Sequence, residues 1–145
     1  MNTGYTVGEI CTRQPMCIGP DEKVSICAKM LAEREVGSAL ICKKDTILGI
    51  LTEQDIVRKV VAKGLDPKVL AVKNVMAKRV ITITPDKDIY EAMVVMGREG
   101  IKHLPVVDDG KLFGIITFKD IIGVEPGLIE VLAFKHSTQK EEDDS

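Results

Sequence analysis

Apolar residues recur along this chain at two periods. Ile89, Ala92, Met93 and Met96 fall at helical spacing and Gly100 follows them, which predicts a helix that stops there; Val24, Cys27, Met30 and Leu31 carry the same period toward Gly37. After each of these segments comes a short apolar run, Ala39–Cys42 or Leu104–Val107. Asp108-Asp109-Gly110 is a strong hairpin signal that pairs Leu112–Ile116 antiparallel with the run before it, and Lys43-Lys44-Asp45 is its weaker counterpart. Val80–Thr84 alternates toward a strand, and Thr84-Pro85-Asp86 predicts a helix N-cap followed by proline at the first helical position. Strand gives way to helix at Thr52 and Thr117, the first of these helices running through Ile56, Val57, Val60 and Val61 to Gly64. Short helical turns are expected at Val7–Cys11 and Val72–Met76, and Pro126-Gly127 breaks the chain before a helical segment, Leu128–Phe134.

The two halves of this pattern are copies in gap-free register, 65 residues apart. Gly49-Ile50-Leu51-Thr52-Glu53-Gln54-Asp55-Ile56 returns as Gly114-Ile115-Ile116-Thr117-Phe118-Lys119-Asp120-Ile121, and Val7, Ile18, Pro20 and Asp21 return as Val72, Ile83, Pro85 and Asp86. Aligned over 51 positions the copies share only 9 identities, so what is repeated is geometry. The expected organisation is a first repeat over 7–64, a linker over 65–71, a second repeat over 72–124, a short extension over 125–134 and an acidic tail over 135–145 with the composition of a disordered segment. Each repeat reads as strand, helix, strand, strand, helix, an α/β fold of the α+β kind. Apolar helix surface exceeds what one small sheet covers, so a homodimer is expected through Val24, Cys27, Met30, Leu31, Ile56, Val57 and Val60 and their counterparts Ile89, Met93, Met96, Ile121 and Ile122.

Composition narrows the function. With 145 residues and 45% hydrophobic content the chain suits one domain with a real core, which no repeat of this size would secure alone. Trp is absent and aromatics are few, which argues against stacking platforms for single-stranded nucleic acid. Behind a net charge of −2, Arg58, Lys59, Lys63, Lys68, Lys73, Lys78 and Arg79 are opposed only by Asp66. That stretch reads either as a solvated helix face and linker or as a surface attracting phosphate-bearing ligands. Cys11, Cys17, Cys27 and Cys42 form no Cys-x-x-Cys pair and the only histidines are His103 and His136, so neither a zinc site nor a bridged framework is expected. No membrane span or secretion signal is read from the chain, and reduced, cytoplasmic chemistry is the default.

Thr-x-x-Asp at a strand-to-helix junction supports two readings. As a capping box, the Thr hydroxyl accepts from a helix amide and the Asp carboxylate accepts from the cap amide. As a binding element, the same carboxylate accepts two hydrogen bonds from a ribose diol while Thr and nearby amides meet phosphate.

On the two Gly-Ile-x-Thr-x-x-Asp heptads, and on Ile101-Lys102-His103-Leu104-Pro105-Val106-Val107-Asp108, the chain resembles the cystathionine-β-synthase (CBS) domain family over about residues 7–122, the tandem pair looking like a Bateman module. The resemblance implies two repeats packed with pseudo-two-fold symmetry around two clefts, and a regulatory role as a sensor of AMP, ADP, ATP or S-adenosylmethionine. Carried over by position, one cleft would use Ile115, Thr117, Lys119 and Asp120, with Lys102 near the phosphate, His103 beside it, and Val36 and Gly37 as walls. The other would use Ile50, Thr52, Gln54 and Asp55, with Thr84, Ile101 and Lys102 from the second copy. The copies differ in that Gly37-Ser38 stands where the second has Lys102-His103.

Three function classes are thereby ranked. A stand-alone adenosyl-ligand sensor that signals to a separate effector protein comes first, because ligand between repeats can bias their arrangement. A nucleic-acid-associated protein using the basic 58–79 stretch is the alternative and would show steep salt dependence. Catalysis ranks last, since no Cys-His spacing, Walker-type loop or metal set is present.

Overall fold

A computed structural model describes residues 1–131; the acidic tail at 135–145 and the end of the Leu128–Phe134 segment lie outside the described residues. In chain order the elements are α1 (Val7–Ile10), β1 (Cys17–Ile18), α2 (Val24–Arg34), β2 (Ser38–Lys43), β3 (Thr46–Thr52), α3 (Glu53–Ile56, continued by a π-helical turn over Val57–Val61), a 3-10 turn at Val72–Asn74, α4 (Ile89–Glu99), β4 (His103–Asp108), β5 (Lys111–Thr117), α5 (Phe118–Val124) and a 3-10 turn at Pro126–Leu128. They form two compact units, one of Pro15–Val80 and one of Met1–Gln14 with the chain from Ile81 onward.

The Pro15–Val80 unit is a three-stranded sheet in the order β1-β2-β3, with β1 parallel and β3 antiparallel to β2. Val24, Cys27 and Leu31 of α2 meet Ala39, Ile41 and Leu51 of the sheet, and Val60, Val72 and Val75 close the core. In the other unit β4 and β5 pair antiparallel, and Ile89, Ala92, Met93 and Met96 of α4 pack on Leu104, Val106 and Ile116 with Val7, Ile121 and Leu128. The hairpin at Asp109-Gly110 is formed as expected, both residues with positive φ (51° and 78°).

The short helical turns identify what completes each unit. In one, Val72 donates its N–H to Glu22 O (2.8 Å), Val24 to Leu70 O (2.9 Å), and Ile50 and Ala77 exchange two backbone bonds. In the other, Val7 donates to Lys87 O (2.8 Å), Ile89 to Tyr5 O (3.1 Å), and Ile115 and Thr12 exchange the same pair of bonds. The segment before each repeat therefore packs on the body of the other copy. This explains Gly49 and Gly114. A Cβ on Gly49 would meet Met76 Sδ at 2.5 Å and Ala77 O at 2.8 Å, and one on Gly114 would run into the Thr12 carbonyl. The glycine of the repeated heptad is thus fixed by the passing backbone.

Three expectations are corrected. Val80–Thr84 forms no strand: copy two has only a parallel bridge between Ile83 and Val106. In copy one Leu40 donates its N–H to Met16 O (2.8 Å), whereas Pro105, at the corresponding position, has no N–H to give. The helix does not begin at Pro85 either. The carbonyls of Pro85 and Lys87 accept from Gly8 and Val7, which holds 85–87 as a turn, and Asp88 is the N-cap, accepting from Tyr90 N at 2.9 Å. Most residues expected on a dimer surface are core: Val24, Cys27, Leu31, Val60, Ile89, Met93, Met96 and Ile121 are buried within their own units, while Ile26, Val57, Val61, Leu65 and Val69 are exposed. Two helix ends are also refined. The helix over Val24–Arg34 stops at Glu35, in the left-handed region (φ 55°), before Gly37, and the helix after Thr52 passes into a π-helical turn at Val57.

Candidate functional site

Both Thr-x-x-Asp motifs form complete capping boxes. In copy one Thr52 N donates to Asp55 Oδ2 at 3.0 Å and Asp55 N donates to Thr52 Oγ1 at 3.2 Å. In copy two Thr117 N donates to Asp120 Oδ2 at 2.9 Å and Asp120 N to Thr117 Oγ1 at 3.3 Å. The capping reading is therefore realised in full, and it orients each carboxylate through Oδ2, so that a further partner can be met through Oδ1.

At Oδ1 the copies part. Lys59, one turn after Asp55, places Nζ 3.2 Å from Asp55 Oδ1 and donates to Val75 O at 3.0 Å. The corresponding position in copy two is Val124. Lys59 belongs to the basic stretch, and its Asp-x-x-x-Lys spacing is the sequence signal that points to this contact. Lys73 of the same stretch pairs with Asp21 at 2.7 Å, so Lys59 and Lys73 both lie against carboxylates.

The remaining expected residues are placed within their own units as follows. Ile50 bridges Ala77, and Gly37 O accepts from Glu53 N at 3.0 Å at the start of α3, beside exposed Val36; Gln54 is exposed. In the other unit Ile115 bridges Thr12, Lys102 O accepts from Phe118 N at 3.1 Å, and Lys102 Nζ stands 4.9 Å from the Phe118 ring centroid. His103 faces Thr117 across the β4–β5 ladder, Ile101 N donates to Met96 O at 3.0 Å, and Lys119 is exposed on α5. Thr84 is exposed and its hydroxyl bonds Asp86, holding that carboxyl below its ordinary range.

The cysteines are unbridged. Burial pushes the Cys27 thiol to about 11, and burial with the neighbouring Cys17 pushes Cys42 to about 12, so both stay protonated and weakly nucleophilic at neutral pH. Among the described residues no group of three or more His, Cys, Asp or Glu side chains is placed to hold a metal ion, and no helix is long and apolar enough to cross a membrane.

The family comparison returns the same domain twice along the chain, once over each copy. The CBS domain model matches residues 7–62 and again 72–127, and the chain belongs to the CBS domain family. An uncharacterized protein of Methanopyrus kandleri is 40% identical over 129 residues, 88% of this chain and 66% of that protein. A CBS domain pair solved in complex with 5′-methylthioadenosine and S-adenosyl-L-methionine aligns with a TM-score of 0.76 at 26% identity, covering 85% of this chain and 97% of that one. A structure of hypoxic response protein I with two coordinated zinc ions aligns with a TM-score of 0.74 at 29% identity, over 84% of this chain and 100% of that one.

Proposed function

We propose that the chain is a regulatory module that binds an adenosyl ligand, AMP, ADP, ATP or S-adenosylmethionine, through the carboxylates of Asp55 and Asp120 and passes the signal to a separate effector protein. The observation that carries this reading is the pair of oriented carboxylates: each capping box fixes Oδ2 and aims a charged oxygen, Oδ1, from a helix start. A ribose diol donates to such an oxygen through charge-assisted bonds, and the amides of a strand-to-helix turn suit phosphate or a carboxylate. The methylthioadenosine and S-adenosylmethionine complex of the related CBS pair supports the ligand class. Of the expected contacts, Thr117, Lys119, Ile115 and Lys102 serve Asp120, and Thr52, Gln54 and Ile50 serve Asp55. The exposed Ile26, Val57, Val61, Leu65 and Val69 are the apolar surface for a homodimer.

Titration calorimetry of the full chain against AMP, ADP, ATP, NAD and S-adenosylmethionine tests the ligand class. At least one adenosyl compound is expected to bind with a defined stoichiometry, and heats indistinguishable from dilution across the whole panel would end this reading. Sedimentation at micromolar concentration tests the dimer, which a monomer would refute.

A further inference from the structure

The two carboxylates are built alike through Oδ2 and differently at Oδ1, and we infer that Lys59 is a specificity-determining residue that occupies Asp55 Oδ1 and makes copy one the weaker binding position for a ribose diol. This rests on the reading of both aspartates as ribose-binding groups.

Lys59 is held from two sides, by Asp55 Oδ1 at 3.2 Å and by Val75 O at 3.0 Å, and the pair is only partly exposed, with the Lys59 side chain 41% and that of Asp55 18% accessible. An ammonium tied to a backbone carbonyl as well as to the carboxylate has less freedom to swing away than a lone surface lysine, whose long stem favours solvent. A hydroxyl approaching Asp55 Oδ1 must displace or share that cation, exchanging one charge-assisted bond for another with little net gain. At Asp120 the residue one turn on is Val124, which offers no such competitor. The duplicated fold thus supplies its own comparison: the same box, followed by a lysine in a π-helical turn in one copy and by a valine at the end of α5 in the other.

The test uses calorimetry of the full chain with AMP and with S-adenosylmethionine. Asp120→Ala leaves Asp55 as the remaining carboxylate, and adding Lys59→Met, which keeps the stem and removes the charge, is expected to tighten binding roughly three- to tenfold. Lys59→Arg retains a cation and is expected to behave as Lys59 does. In the reciprocal background, Asp55→Ala, the change Val124→Lys is expected to weaken binding by a comparable factor. This arm leaves the Val75 carbonyl untouched, so it decides the matter if Lys59→Met proves unstable. Unchanged or weaker binding in folded Lys59→Met, or unchanged binding in Val124→Lys, overturns this inference alone. No binding of either compound to any chain, wild type included, overturns the ribose reading and this inference with it.

Discussion

Copy one and copy two place an identical box at the start of their last helix and share the backbone bonds that lead into it, yet several other details of the two copies differ. Copy one has a paired first strand, a non-glycine left-handed residue at the end of its helix and a lysine on its aspartate; copy two has Pro105 in place of a strand amide, Gly100 at the helix end and Val124 beside Asp120. The shared features are those that another part of the backbone or the cap amides enforce. Of the divergent ones among the described residues, Lys59 alone is seen on the carboxylate oxygen that the box leaves over. Duplication has preserved the scaffold and left the oxygen beyond each box in a different setting.

The largest expected effect is on the glycine against which the exchanged segment passes. Gly114→Ala drives a Cβ into the Thr12 carbonyl, a backbone atom, and is expected to cost about 3 kcal/mol by denaturant unfolding. Gly49→Ala meets first the flexible end of Met76 and is expected to cost less, about 1–2 kcal/mol. Equal losses would mean that the two segments yield alike.

Next comes the cap of α4. Asp88 accepts from Tyr90 N and from both the hydroxyl and the amide of Thr3. Burial acts to raise its pKa, but these bonds and one from the Gly4 amide together hold it below the ordinary carboxylate value. A depressed carboxyl contributes stability that is present above the unfolded-state pKa and is lost as pH falls through the folded-state pKa. Asp88→Ala is therefore expected to cost about 1–2 kcal/mol at neutral pH, with the difference from wild type shrinking under acid; a difference that grows as pH falls would refute the assignment.

The smallest effects lie at the helix ends. Gly100→Ala puts a side chain at φ 67° and is expected to cost about 1 kcal/mol, while Glu35→Gly relieves the same conformation at φ 55° in copy one and is expected to gain about 0.5–1 kcal/mol. Melting temperatures that move in the same direction for both would contradict this account.

Much of this was legible in the chain because it is local. The Asp109-Gly110 hairpin, the helical period of Ile89, Ala92, Met93 and Met96, the Gly100 stop and both capping boxes depend on residues a few positions apart. What was not legible depends on partners far along the chain. The start of α4 shifts to Ile89 because Val7 and Gly8 take the carbonyls of Lys87 and Pro85, and the strand of copy two is lost because Pro105 cannot donate. The Lys59 contact was within reach of sequence spacing and was masked by reading the basic residues as one stretch.

The central claim is that Asp55 and Asp120 bind ligand in addition to capping helices, and the double variant Asp55→Ala, Asp120→Ala tests it most directly. Loss of two caps alone would lower stability by about 0.5–2 kcal/mol each and leave affinity unchanged. Loss of ribose-binding carboxylates removes charge-assisted bonds worth about 1.5–3 kcal/mol each, so calorimetry on the folded double variant is expected to show adenosyl-ligand affinity at least about tenfold weaker than wild type. Wild-type affinity in a double variant whose circular dichroism shows it folded would contradict the account.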